Sequence, residues 1–245
     1  CYIVFKALPS TAFGLGTWQV QRRQWKLGLI EELEKCMTEA PVDFPENLND
    51  IQNLVYRKVK VTGKFDHSNE VYIGPRNNLR SEEKSRGGGI ISSARTAVNG
   101  FFVVTPFTLS GSNIKILVNR GWVPRYKIDP EKRQKGQIED EVTITAVVRD
   151  TEKRPPFGIS NDLSRRQFNY RDIMQMASIL GTKPIFVDAD SSSTVPGGPI
   201  GGQTVVSLRN EHAQYIFTWY GLGVLTMYLW YKKHFQTLKN FWRLR

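Results

Sequence analysis

The sequence predicts an α+β chain: a β-rich, antiparallel, barrel- or sandwich-like soluble domain set between two transmembrane helices. Three observations carry this reading. Residues 213–231 contain no charged side chain, close to the roughly 20 apolar residues a helix needs to cross about 30 Å of hydrocarbon. Tyr215, Trp219 and Tyr220 stand toward one end of that run, with Tyr228, Trp230 and Tyr231 at the other, the distribution that amphipathic rings adopt at two membrane interfaces. Between this run and a second apolar segment at the front of the chain, short stretches alternate apolar and polar residues at the period of a half-buried strand.

Residues 1–20 form the first expected span, from Tyr2, Ile3, Val4 and Phe5 to Phe13, Leu15 and Trp18. Lys6 can snorkel to the near interface, and membrane helices tolerate a proline such as Pro9. Ala12 and Gly16, four apart, make a small face that lets another helix approach closely. Residues 21–40 continue the helix out of the membrane. Trp25, Leu29, Leu33 and Met37 recur there at helical spacing, and Pro41 and Pro45 end it.

A β-rich domain follows over 41–204. Strands are expected over 55–65, 70–73, 100–109, 114–119, 142–148, 185–187 and 203–208. Gly111-Ser-Asn is the turn of a hairpin between the third and fourth of these. One helix, 170–180, is stopped by Gly181, and the charged segment 78–89 is a mobile loop. A juxtamembrane connector over 205–212, the second span over 213–231 and a basic tail over 232–245 complete the order.

The formal net charge is +11. Lys232, Lys233, Lys239, Arg243 and Arg245 place much of that excess directly beside the second span, where bases meet lipid head groups and set topology. No helix-turn-helix, zinc-finger or RNA-binding pattern accompanies it, so nucleic acid is excluded as a partner. The two cysteines, Cys1 and Cys36, exclude a disulfide framework and a C-x-x-C redox site. The chain begins with Cys1 rather than Met, so an upstream segment of unknown identity is expected to have been removed, with room in it for targeting information.

No catalytic constellation emerges. Pro196-Gly-Gly-Pro-Ile-Gly-Gly-Gln203 lacks the G-K-[ST] and the strand-turn-helix setting of a phosphate loop. Its Gly197, Gly198, Gly201 and Gly202 make instead a tight packing linker where the domain meets the membrane. The three histidines lack the motifs of a nucleophilic triad. His67 belongs to a turn and His234 to the tail. His212 differs in placement: it stands at the mouth of the second span, sharing a helical face with Ile216, Trp219 and Gly223. An imidazole there, supported by the rings of Tyr215 and Trp219, has the chemistry of a haem-iron ligand. The alternative is an interfacial histidine bonded to water and Glu211. No other metal site is indicated.

Four stretches stand out in order: Phe13-Gly-Leu-Gly-Thr-Trp-Gln-Val-Gln-Arg-Arg-Gln-Trp-Lys26, Tyr56-Arg-Lys-Val-Lys-Val-Thr-Gly-Lys-Phe-Asp-His67, Val118-Asn-Arg-Gly-Trp-Val-Pro124 and Arg133-Gln-Lys-Gly-Gln-Ile-Glu139. Val195-Pro-Gly-Gly-Pro-Ile-Gly-Gly-Gln-Thr204 and Arg209-Asn-Glu-His-Ala-Gln-Tyr-Ile-Phe-Thr-Trp-Tyr-Gly-Leu222 complete the set. Together they resemble the surfeit locus protein one family. The resemblance implies a multi-pass protein of the mitochondrial inner membrane whose soluble domain faces the intermembrane space. It implies a non-enzymatic role in assembling cytochrome c oxidase while the haem-bearing catalytic subunit matures. Its partners would be that subunit, other assembly factors and inner-membrane lipids. Haem a enters through bacterial relatives, whose second-span histidine corresponds to His212. Two other classes stay open on the residues alone: a membrane enzyme acting on haem or a quinone, and a permanent structural subunit of a respiratory complex.

Overall fold

The structure, a computed structural model, describes residues 2–79, 99–204 and 211–243. The chain divides into two compact units, Lys35–Val205 and the pair formed by Cys1–Glu34 with Val206–Arg245.

The larger unit is built on eight strands: β1 (Val42–Asp43), β2 (Lys58–Phe65), β3 (Val71–Arg76), β4 (Gly100–Leu109), β5 (Lys115–Pro124), β6 (Val142–Arg149), β7 (Gln167–Phe168) and β8 (Phe186–Ala189). Their order is β1-β2-β6-β8-β5-β4-β3-β7, and β2 also pairs with β4 through Gly63↔Leu109, Lys64↔Thr108 and Phe65↔Phe107. That pairing closes β2, β6, β8, β5 and β4 into a barrel, leaving β3 and β7 as a flap on the free part of the β4 edge. Alternation decides what fills it. Val59, Val61 and Phe65 of β2, Phe107, Ile116, Val118, Ile144, Ala146, Val148, Val187 and Ala189 share one core.

The opposite face supplies a second core. Val71, Ile73, Val104, Leu117, Phe168 and Phe186 pack against Ile173, Met176 and Ala177 of α2 (Ile173–Leu180). Asp172 caps this helix by accepting from the Gln175 amide at 3.0 Å, and Gly181 ends it in the left-handed conformation at φ 62°.

Of the expected barrel or sandwich, the structure has the barrel, with several corrections. It is not wholly antiparallel: β1–β2, β3–β7 and β5–β8 run parallel. The run preceding β2 is not strand, because Leu48–Leu54 is a 3-10 helix and Tyr56 takes φ 69°. The expected helix begins at Ile173, where Asp172 caps it, rather than at residue 170. The β4–β5 hairpin turns at Gly111 as expected, but β5 runs on to Pro124. It does so through a bulge: Val103 faces Gly121 while Val104 faces Asn119, so Arg120 is the inserted residue. Residues 203–204 lie outside any strand, and 205–208 lie outside the described residues, as do 80–89 of the expected loop.

The smaller unit pairs α1 (Tyr2–Thr38) with α3 (His212–Arg243). The two meet through small residues on both sides. The Tyr220 ring lies where a Cβ on Gly16 would approach it at 3.2 Å, and Phe13 stands likewise 3.1 Å from a Cβ on Gly223. Ala12 is 2% exposed, so the small face read from the sequence is the packed one. α3 continues through 232–243 without the break expected at residue 231. Among the described residues, no helix is long and apolar enough to cross a membrane. Gln19, Gln21, Arg22 and Arg23 lower the mean hydropathy of α1, and α3 is rich in Gly, Thr, Tyr and Trp. The apolarity expected of spans over 1–20 and 213–231 is therefore not reached.

Candidate functional site

His212 is the first residue of α3, and its ring is part-buried against α1. Nδ1 lies 2.6 Å from Oε1 of Gln19, itself only 9% exposed. A side-chain carbonyl oxygen only accepts, so Nδ1 carries the proton and donates it. The Nε2 lone pair is left for another partner, the arrangement a metal-ligating histidine adopts when its second nitrogen is held. Tyr215 and Trp219 follow one and two helical turns on, Tyr215 at 47% exposure. Along α3, Ile216, Phe217, Tyr220, Gly221, Val224, Leu225 and Tyr228 line an apolar groove of about 660 Å³. The groove starts at Ile216, one turn beyond His212, and His212 is not among the residues that line it. Among the described residues no group of three or more His, Cys, Asp or Glu side chains is placed to hold a metal ion.

The glycine-rich segment is packed tightly within the β unit. It straps the β unit: Ile200 and Trp122 exchange backbone hydrogen bonds at 2.9 Å, and the Gly202 amide donates to the Ala189 carbonyl at 2.9 Å. Gly197 and Gly202 have φ of 83° and 69°, a region only glycine enters freely. A Cβ on Gly201 would stand 2.6 Å from the Asp190 carbonyl oxygen. Gly198 packs on Gly136.

A buried charge network adjoins that contact through Arg120, which holds the Gly136 carbonyl. Arg133 and Glu70 pair face to face with side chains 1% and 2% exposed. Arg133 also donates to the Lys127 and Ile128 carbonyls at 3.2 and 3.3 Å. Arg120, delivered by the β5 bulge, lies over the Phe65 ring and donates to the Gly136 carbonyl. Burial holds its guanidinium down to about 10, partly offset by the Glu70 charge. His67 Nε2 donates to the Ile138 carbonyl at 2.8 Å, and Nδ1 lies 3.4 Å from Arg120. His67 is thus a member of this network rather than a plain turn residue. Burial pushes the Glu70 carboxyl up, but hydrogen bonds from His67 and Arg133 and the charges of Arg133 and Arg120 outweigh it. The net displacement is downward. Tyr72, beside that carboxylate, is pushed up to about 12 by burial and the Glu70 charge.

Sequence reasoning missed Gln19, Glu70, Arg120 and Arg133. The available signal was a charge set among strand residues, as with Arg120 in Leu117-Val-Asn-Arg-Gly-Trp-Val123. The position of Gln19 on the face of Ala12 and Gly16 was a second such signal.

The barrel, most of α1 and the first part of α3 fall inside one family match. The SURF1 family matches residues 7–224. This chain belongs to the SURF1 family. Surfeit locus protein 1 from Homo sapiens is 56% identical over 230 residues, covering 94% of this chain and 76% of that protein. Surfeit locus protein 1 from Takifugu rubripes is 52% identical over 232 residues, covering 95% and 96%. The SURF1-like protein of Drosophila melanogaster is 44% identical over 227 residues, covering 92% and 75%. The SURF1 match spans the His212–Gln19 pair, the strap and the charge network alike.

Proposed function

We infer that this chain is an assembly factor for cytochrome c oxidase, acting as a membrane-anchored scaffold or chaperone while the haem-bearing catalytic subunit matures. The observation that carries this reading is membership of the SURF1 family across residues 7–224. The role is non-enzymatic. Purification in mild detergent tests it: the chain should be recovered in less than equimolar amount with partly assembled oxidase. Stoichiometric recovery with the mature complex would make it a permanent subunit instead.

The helical pair anchors the chain in the mitochondrial inner membrane, with both termini in the matrix and 43–204 in the intermembrane space. Three features support an apolar surrounding despite the modest hydropathy of each helix. Phe217, Val224, Leu225, Met227, Tyr228 and Leu229 are all at least half exposed. The polar Gln19 and His212 face each other instead of outward. The hydroxyls of Thr11, Thr17, Thr218 and Thr226 bond back to carbonyls four residues earlier, as such groups do where water is scarce. Protease added to mitoplasts should cut the β unit; protection until lysis would reverse the orientation.

Haem a is handled at His212, with Tyr215 and Trp219 beside it. The support is the tautomer that Gln19 imposes, which leaves Nε2 free to ligate iron. When bound, haem supplies the redox-active iron destined for the oxidase, and this chain's residues hold and orient it. The catalytic subunit and inner-membrane lipids are the partners this reading requires, together with other assembly factors.

A further inference from the structure

The β unit carries an exposed apolar tip that the assembly reading leaves unused. In Lys153-Arg-Pro-Pro-Phe-Gly-Ile159, the Gly158 amide donates to the Pro155 carbonyl at 2.9 Å, closing a turn with Pro156 and Phe157 at its corners. Phe157 takes φ 63°, the position such a turn normally gives to glycine. Its ring is fully exposed at 106%, and Ile159 follows at 77%. Arg154 braces the turn by donating to the Gly158 carbonyl at 2.8 and 3.2 Å.

The loop is fastened at its base. Asn161 donates to Gln175 of α2 at 3.1 Å and accepts from the Asn169 amide at 2.9 Å. Asp162 accepts from the Ser164 hydroxyl and amide and from the Arg165 amide. A large ring held outward on a fastened loop is unlike a collapsed surface side chain. The charge around it is mainly positive, with Arg165 lying 3.6 Å from the Asp162 carboxylate while staying largely exposed. Lys153 and Arg154 precede the tip and Arg165 and Arg166 follow, whereas Asp162 is the one acid between them and Glu152 is bound to Arg76 and Arg171.

We propose that 153–166 is a lipid-docking tip: Phe157 and Ile159 enter the apolar boundary of a bilayer while Lys153, Arg154, Arg165 and Arg166 meet anionic head groups. Apolar side chains that penetrate the acyl boundary and bases that stay in the head-group layer are the two components of reversible surface binding. The docking holds the β unit against the bilayer independently of whether oxidase is the client, so its failure would leave the assembly reading untouched.

A spin label reports the tip directly. Cys1 and Cys36 are changed to Ser, Phe157→Cys carries a nitroxide, and the chain is reconstituted into phosphatidylcholine vesicles with or without phosphatidylglycerol. In the anionic vesicles the label should collide with dissolved oxygen more than with a water-soluble nickel chelate; in phosphatidylcholine alone the order should reverse. Lys153→Gln, Arg165→Gln and Arg166→Gln together leave the Arg154 brace intact and should abolish the anionic response, each lost base weakening surface attraction about fivefold. Equal access of the chelate in both vesicles would overturn the proposal and leave the tip to a protein partner. Burial in both, or a response that survives loss of the three bases, would overturn the anionic requirement.

Discussion

A Cβ on Gly136 would stand 2.2 Å from the Gly198 Cα, so these two glycines touch backbone to backbone. The Gly136 carbonyl is held by Arg120, and Gly198 lies in the strap that returns along β5 through Ile200. The contact therefore ties the barrel, the 3-10 segment Pro130–Gly136 and the strap into one packed layer. Gly136→Ala should lower stability by about 1–3 kcal/mol, the usual cost of forcing atoms into a closed site. Gly198→Val should act the same way, because its Cβ would meet the Gly136 carbonyl oxygen at 3.2 Å and the Val195 carbonyl oxygen at 3.3 Å. Thermal melts of the detergent-solubilised chain check both, and unchanged midpoints would show the strap to be loosely held.

Glu70 and Arg133 are the next test. Removing one partner of a buried pair strands the other charge, at a cost of about 3–5 kcal/mol. Glu70→Gln should show that loss in urea unfolding at neutral pH, whereas Glu70→Leu with Arg133→Met should recover much of it. The pH dependence has a definite sign. The folded carboxyl titrates below its ordinary 4.5, so its contribution is complete above that value and disappears as the pH falls through the folded value. Wild-type stability should decline below about pH 4.5, and Glu70→Gln should flatten this decline. A variant that loses stability on acidification as steeply as wild type would assign the dependence to Glu152 and the other depressed carboxylates.

The barrel was legible where the alternation is local. The Gly111 hairpin could be read because β4 and β5 are neighbours in the chain, and β6 because its own residues alternate, although its partners β2 and β8 are distant. What alternation cannot declare is the partner across the barrel. The parallel β5–β8 pair joins residues about seventy positions apart, and β1 and β7 are two residues each, too short to show any period. The Arg120 bulge ended the predicted β5 early because Gly121 interrupts the alternation it in fact carries through. The glycine-rich segment reads from sequence as a tight packing linker, but glycine names no partner, so its contact with Gly136 was not legible. At the candidate site, His212 was legible from its place at the mouth of an uncharged run. Gln19 was not, because its role depends on α1 lying against α3.

The termini of α2 give a smaller, cleaner measurement. Asp172→Ala removes the cap to the Gln175 amide and should cost about 1 kcal/mol. At Gly181 no atom lies within 4 Å of a built Cβ, so only the left-handed backbone opposes a side chain there. Gly181→Ala should therefore cost roughly 1 kcal/mol, while Gly181→Asn costs less because asparagine tolerates that region. Equal losses for Ala and Asn would mean that something other than φ limits the site.

The sharpest prediction concerns Gln19 and His212 together, since either residue alone admits a plain structural reading. If His212 merely closes the helix pair through its 2.6 Å bond to Gln19, then His212→Gln, which keeps a hydrogen-bonding side chain, should preserve any haem that co-purifies. If Nε2 ligates iron, His212→Gln and His212→Ala should both lose haem while staying at normal abundance in the membrane. Gln19 then acts as a positioning residue through Nδ1. Gln19→Leu removes the acceptor that fixes the tautomer and should weaken haem retention by about 10–100-fold, the usual effect of losing a metal ligand's hydrogen-bond partner. Gln19→Glu keeps an acceptor, and its charge makes Nε2 a stronger donor to iron. That variant should retain haem and shift its reduction potential downward, a change that simple repacking of the helices would not produce. Absorption spectra, redox titration and helix content recorded on the four variants separate the two readings. Full haem occupancy in either His212 variant would remove His212 as the ligand, and a Gln19→Glu potential equal to wild type would remove Gln19 from the site.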